Sequence, residues 1–168
     1  LHIYGPKGTS QFLDLLLRLF IFKESIKVET HEIDEGKFLE SSEFYLEAFS
    51  LRHTTKCLGY NFIIKDKLRI DKKKLKKLKI KQGVWIRELK NGKDVQVDGK
   101  KIKSKDLTYF EKGKKASFVL DTGYFDFSNS IKNADLFVCE STYSQEEKDL
   151  ALEYKHLTAA QAAEIAKK

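Results

Sequence analysis

The feature that most constrains this chain is a set of strand-like apolar runs that stop on a polar residue able to do chemistry. Four segments carry the pattern, in this order: Ser50-Leu-Arg-His-Thr-Thr-Lys-Cys-Leu-Gly-Tyr60, Leu120-Asp-Thr-Gly123, Cys139-Glu-Ser-Thr142 and His156-Leu-Thr-Ala-Ala-Gln-Ala162. The residue after a buried strand sits in the loop at the sheet edge, where functional groups collect. Strands and helices alternate after Phe118, which favours an α/β layer arrangement.

A chain of 168 residues with 41% apolar content can bury one ordinary core. It contains no Met and opens on the apolar run Leu1-His-Ile-Tyr4, so we read it as part of a longer chain. No stretch reaches the roughly 18 apolar residues of a membrane span. The longest candidate, residues 12–22, is interrupted by Asp14 and Arg18. The charged-then-apolar pattern of a signal peptide is absent. Cys57 and Cys139 are too few for a disulfide framework and sit beside apolar residues. They read as buried, reduced thiols of a cytoplasmic protein.

The net charge of +7 is unevenly spread. Residues 65–115 hold 18 Lys and 2 Arg against 7 Asp or Glu, a local charge of +13, and the remainder carries −6. A neutral-to-acidic body therefore bears one strongly basic segment. Such a segment neutralises phosphates and makes binding salt-dependent. Its plain alternative is a solvated Lys-rich face.

Residues 1–4 read as a strand ended by Gly5-Pro-Lys-Gly8, a turn that lacks the G-x-x-x-x-G-K-[ST] spacing of a phosphate loop. Thr9 or Ser10 can cap a helix running to about residue 23, apolar over much of its surface and so packed between layers. Strands follow over 27–33 and 44–51, with a turn at Asp34-Glu-Gly36 between them and a return strand over 58–64. In the basic segment, Asp71 can cap a short helix over 72–79, and Gly83-Val-Trp85 breaks it before a second short helix. Residues 95–102 form a hairpin turning at Asp98-Gly99. The segment is a small outlying subdomain. Strands at 116–120 and 135–139 then end at Asp121 and Glu140, and helices occupy 144–154 and 158–168. Thr158-Ala-Ala-Gln161 is a capping-box pattern, placing His156 just ahead of a helix N-terminus.

His53 follows an alternating strand and reads either as an ordinary loop histidine or as a metal ligand. Asp121 either closes an Asx turn or offers a carboxylate to metal. Glu140 in its loop can hydrogen-bond an imidazole and raise its pKa, opposing the helix dipole at His156. His2 and His31 lie in or beside strand-like runs without partner ligands and read as structural.

The four segments, in this order, resemble the C-terminal part of ribonuclease Z, the metallo-β-lactamase-type endonuclease that trims tRNA 3′ ends. Arg52-His-Thr-Thr-Lys-Cys-Leu-Gly-Tyr60 resembles the stretch around its metal-binding histidine, and Leu120-Asp-Thr-Gly123 its Ser/Gly-Asp-Thr motif. Cys139-Glu-Ser-Thr142 looks like its His-Glu-Ala-Thr loop, and His156-Leu-Thr158 its His-Ser-Thr loop. The resemblance implies a metallo-β-lactamase αβ/βα sandwich, incomplete here, formed by residues 1–64 and 116–168. It makes His53 and Asp121 metal ligands and gives Glu140 and His156 catalytic roles in proton transfer. It implies a pair of zinc ions per complete active site, precursor tRNA as the substrate and a homodimer, with no membrane.

Residues 65–115 correspond to the family's projecting, tRNA-gripping arm, with Lys73, Lys76, Lys77, Lys81 and Gly83 as candidate substrate-binding residues. Where the family's arm carries a Gly-Pro turn, this chain has Lys81-Gln-Gly-Val-Trp85. The family's H-x-H-x-D-H motif is absent and belongs upstream of Leu1, and its last metal-binding histidine belongs downstream of Lys168. The isolated chain is accordingly expected to be inactive. Two alternatives remain, a non-catalytic RNA-binding fragment and another metallo-β-lactamase-fold phosphodiesterase or sulfatase. The basic arm argues against a small substrate.

Overall fold

The computed structural model describes residues 1–19, 27–79 and 83–168. The chain divides into two compact units, one made of Leu1–Ile63 with Lys115–Lys168, the other of Ile64–Lys114.

In the first unit, β1 (His2–Gly5) pairs in parallel with β2 (Glu29–Glu32), flanking α1 (Thr9–Arg18). The helix is not capped by Thr9 or Ser10, as its sequence suggested. The Thr9 hydroxyl donates back to the Pro6 carbonyl at 2.6 Å. A carboxylate oxygen of Glu32, at the end of β2, accepts the Gly8 and Ser10 N–H groups at 3.0 and 3.1 Å. A carboxylate there satisfies orphan donors and faces the positive end of the helix dipole, which a hydroxyl engaged in the turn cannot do. The expected extension to about residue 23 lies outside the described residues. The expected burial of this helix between layers is not found: Phe12 is 70% exposed, and Leu15 and Leu16 are also open. No described residue covers that face.

Next come β3 (Gly36–Glu40), β4 (Phe44–Arg52) and β5 (Lys56–Ile64). β3 pairs antiparallel with β4 across a register shift between Lys37 and Leu39. This strand was not legible in the sequence, because the shift and its glycine start interrupt any alternation. β4 passes into neighbouring β5 through His53, Thr54 and Thr55. Gly59 is required in β5, since a Cβ there would lie 2.4 Å from the ring of Phe49.

The second unit opens with β6 (Lys67–Ile70), α2 (Lys72–Lys77) and α3 (Trp85–Lys90). Asp71 caps α2 as expected, accepting the Lys73 and Lys74 N–H groups at 2.9 and 3.1 Å. β7 (Val95–Val97) and β8 (Lys100–Ile102) form the expected hairpin. Asp98 and Gly99 at its turn both have positive φ, 50° and 74°. α4 (Ser104–Leu107) leads to β9 (Thr108–Glu111), which pairs antiparallel with β6. Leu75, Leu89, Ile102 and Leu107 form a core belonging to this unit, against which Trp85 packs.

Back in the first unit are β10 (Lys114–Val119), α5 (Ser128–Ile131), β11 (Leu136–Cys139), α6 (Lys148–Tyr154) and α7 (Ala159–Ala166). The sheet order is β11-β10-β5-β4-β3, with β10 and β11 parallel. Its core holds Phe49, Leu51, Val119, Phe127, Ile131, Leu157 and Ile165. Buried Asn61 on β5 is satisfied on both sides. It donates to the Ser130 carbonyl at 2.9 Å and accepts the Ser117 hydroxyl at 2.7 Å. The helix expected over 144–154 starts only at Lys148; ahead of it, in the preceding turn, the Ser144 N–H donates to the Glu147 carboxylate at 3.1 Å.

Leu89 is fully buried in the smaller core, so Leu89→Ala should cost about 2–5 kcal/mol. Trp85, the single tryptophan, reports that core directly. Denaturant titration followed by its fluorescence should show the midpoint falling; an unchanged midpoint would mean this core contributes nothing.

Candidate active site

The four sequence segments meet at one end of the larger sheet because of how its strands run. β10 and β11 are parallel, so Asp121 and Glu140, just beyond their last residues, emerge at the same edge. The Glu140 N–H continues the ladder by donating to the Val119 carbonyl at 2.8 Å. The loop after β10 is hooked onto the end of β4: the Gly123 N–H donates to the Arg52 carbonyl at 2.6 Å, and the Arg52 N–H donates to Thr122 Oγ1 at 3.2 Å. That brings His53, in the β4–β5 turn, beside the other two. His156 arrives between α6 and α7. Lys155 ends α6 in the left-handed region (φ 57°), and the Thr158 capping box starts α7. Tyr143 fixes this last loop, donating to the Leu157 carbonyl at 3.1 Å and accepting the Ala159 N–H at 3.0 Å.

Glu140 is the organising group. Its side chain is only 6% exposed, yet every lone pair is used. Oε1 accepts the Thr122 N–H at 2.6 Å, and Oε2 accepts the Thr142 hydroxyl at 2.7 Å and the Leu157 N–H at 3.1 Å. His156 Nδ1 lies 3.0 and 3.1 Å from the two oxygens. Burial pushes the carboxyl pKa up, but these hydrogen bonds outweigh it and hold the group below its ordinary range. The stability they confer is full above the ordinary glutamate pKa and is lost as pH falls through the lowered value. An ionised, saturated carboxylate beside Nδ1 puts the ring proton on that nitrogen and leaves Nε2 of His156 for other partners.

The ring of His53 lies 5.1 Å from that of His156, edge to face. Its Nδ1 is 3.1 Å from the Thr54 hydroxyl, while its Nε2 is buried with no hydrogen-bond partner among the described residues. Such an orphaned imidazole nitrogen suits a metal ion. Asp121 offers a carboxylate oxygen within 4.8 Å of ligand atoms on Glu140 and His156. With Glu140 saturated, the donors left for a cation are Asp121, Nε2 of His53 and Nε2 of His156, a carboxylate and imidazoles of the kind zinc takes. Neither thiol competes as nucleophile: burial and then the Glu140 charge push Cys139 to about 11, and burial and then Asp121 raise Cys57.

A cleft of about 770 Å³ opens here, lined by His53, His156 and the cations Arg52, Lys56, Lys148 and Lys155. Asp149 is the one acidic residue in that lining, so the cleft favours an anion. Sequence reasoning missed this ring of cations, because Lys148 and Lys155 carry no motif. It also missed Thr122 and Thr142 as supports of Glu140, although both lie inside quoted motifs. The candidate substrate-binding residues Lys73, Lys76, Lys77 and Gly83 are carried by the second unit, all exposed. Lys81 lies outside the described residues.

No family model matches the chain. Among curated proteins it is 37% identical to ribonuclease Z of Borrelia hermsii over all of this chain and 55% of that protein. It is 35% identical to ribonuclease Z of Bacillus cereus over 99% of this chain and 56% of that protein. For ribonuclease Z of Nanoarchaeum equitans the figures are 31% identity, 98% and 52%. Among solved structures, human tRNase Z, short form, superposes with a TM-score of 0.60 at 18% identity, covering 99% of this chain and 56% of that one. The metallo-β-lactamase fold protein YhfI from Bacillus subtilis gives 0.54 at 17% identity, with 99% and 47% covered. The fold is thus of the metallo-β-lactamase type, and the chain spans about half the length of the curated proteins it matches. Along its whole length this chain is similar to about half of ribonuclease Z.

Proposed function

We propose that this chain supplies part of the active site of a zinc-dependent endoribonuclease that removes the 3′ trailer of precursor tRNA. The observation that carries the reading is the buried Glu140–His156 pair set beside the orphaned Nε2 of His53 in a cation-lined cleft. The relatives named ribonuclease Z support it.

His53 and Asp121 would hold the metal. When bound, zinc lowers the pKa of water and offsets negative charge on a phosphodiester. The chain's own groups do the rest. Arg52, Lys56, Lys148 and Lys155 draw the phosphate into the cleft. Glu140 keeps the Nδ1 proton of His156 in place and fixes the ring, so that Nε2 can give a proton to the departing 3′ oxygen. The exposed lysines of α2 in the basic unit grip the tRNA backbone by shape and charge rather than by base readout. The complete protein works as a homodimer.

Three outcomes test this in the complete protein. Deleting residues 65–115 should weaken binding of precursor tRNA, and binding by the parent should fall steeply with salt. Cleavage of a small phosphodiester should survive the deletion; equal loss on both substrates would show that the arm only stabilises the fold. His53→Ala and Asp121→Ala should each lose bound zinc and activity together, and zinc retained at the parent level after dialysis would refute the ligand assignment.

The proton-transfer pair is tested by kinetics. His156→Ala should lower the rate about 10²–10⁴-fold with zinc content unchanged. Glu140→Ala should do similar damage, and the double variant should be little worse than either, because residues acting as a unit are not additive. A full rate in a less stable His156→Ala protein would remove this histidine from the reaction.

A further inference from the structure

We propose that His2, Glu29 and His31 form a second metal site, for a divalent ion of the zinc class, that clasps β1 to β2. The parallel register sets His2 opposite Glu29 and Tyr4 opposite His31. Alternate residues of a strand share a face, so these four side chains project from the same side of the ladder. His2 Nδ1 lies 3.0 Å from His31 Nε2 and 3.5 Å from a Glu29 oxygen. The three ligand atoms all fall within 4.8 Å of one another.

Two imidazole nitrogens this close either share one proton or converge on a cation. Zinc–nitrogen bonds of about 2.1 Å at a tetrahedral angle hold their nitrogens about 3.4 Å apart, so a few tenths of an ångström separates the two arrangements. The rings are already positioned for the second. His31 stacks on Tyr4 at 4.7 Å and 16° and on His2 at 5.3 Å and 26°, which restrains its plane. Lys27 holds the other oxygen of Glu29 at 3.0 Å, directing the remaining one toward the histidines. Two imidazoles and one carboxylate suit zinc, cobalt or nickel rather than magnesium or calcium, which prefer oxygen ligands. The side chains of His2 and Glu29 are 59% and 44% exposed, so water can complete the coordination. A two-stranded ladder is marginal by itself, and an ion that binds only the paired strands would stabilise it.

This site shares no residue with the one containing His53, and the two are separable by experiment. Chelator-stripped chain carrying His53→Ala is titrated with zinc at neutral pH and followed by calorimetry and by the imidazole NMR signals. One equivalent should bind, shifting the His2 and His31 ring signals together and raising the melting temperature. His2→Gln and His31→Gln, added singly to that background, should each weaken binding at least about tenfold. Circular dichroism of the metal-free variants checks that the fold is kept. Absence of uptake by the His53→Ala chain, or uptake undiminished when both His2 and His31 are replaced, would overturn the proposal.

Discussion

The site depends on one buried carboxylate. Glu140 accepts hydrogen bonds from the loop after β10 (Thr122), its own loop (Thr142) and the turn before α7 (Leu157 and His156). These donors come from three stretches of backbone, so a single ionised group ties its own loop to two segments well removed from it in sequence. An unpaired carboxylate would be costly in that position, and a paired one fixes its partners. The geometry of His156 is therefore set by the fold before any ligand arrives.

A second constraint is the placement of charge. The larger unit sets Arg52, Lys56, Lys148 and Lys155 around its cleft, while the basic excess is gathered in Ile64–Lys114 around a core of its own. On α2, the buried Leu75 and the Asp71 cap hold a short helix that presents Lys73, Lys76 and Lys77 to solvent.

Much of this was legible because the relevant signals are local. Asp71 caps α2, Asp98-Gly99 turns the β7–β8 hairpin, and Thr158 with Gln161 starts α7, since a cap or a tight turn needs only neighbouring atoms. Other readings failed. The start of α1 is held by Glu32, a group from another strand that no local pattern announces; α1 keeps an open apolar face; and the helix expected at residue 144 starts only at Lys148. β3 went unread because its pairing comes from β4 and not from its own pattern.

The sequence alone determined the order of the strands' polar ends, the identity of His53, Asp121, Glu140 and His156 as the groups worth watching, and the concentration of lysine in one segment. Tertiary structure decided which atoms of those groups are occupied. Only packing could leave His53 Nε2 buried and unpartnered while saturating Glu140, because both outcomes depend on backbone donors brought in by strand order and loop closure. It also set His2 against His31, a pairing that follows from the parallel register of β1 and β2 and has no trace in spacing along the chain.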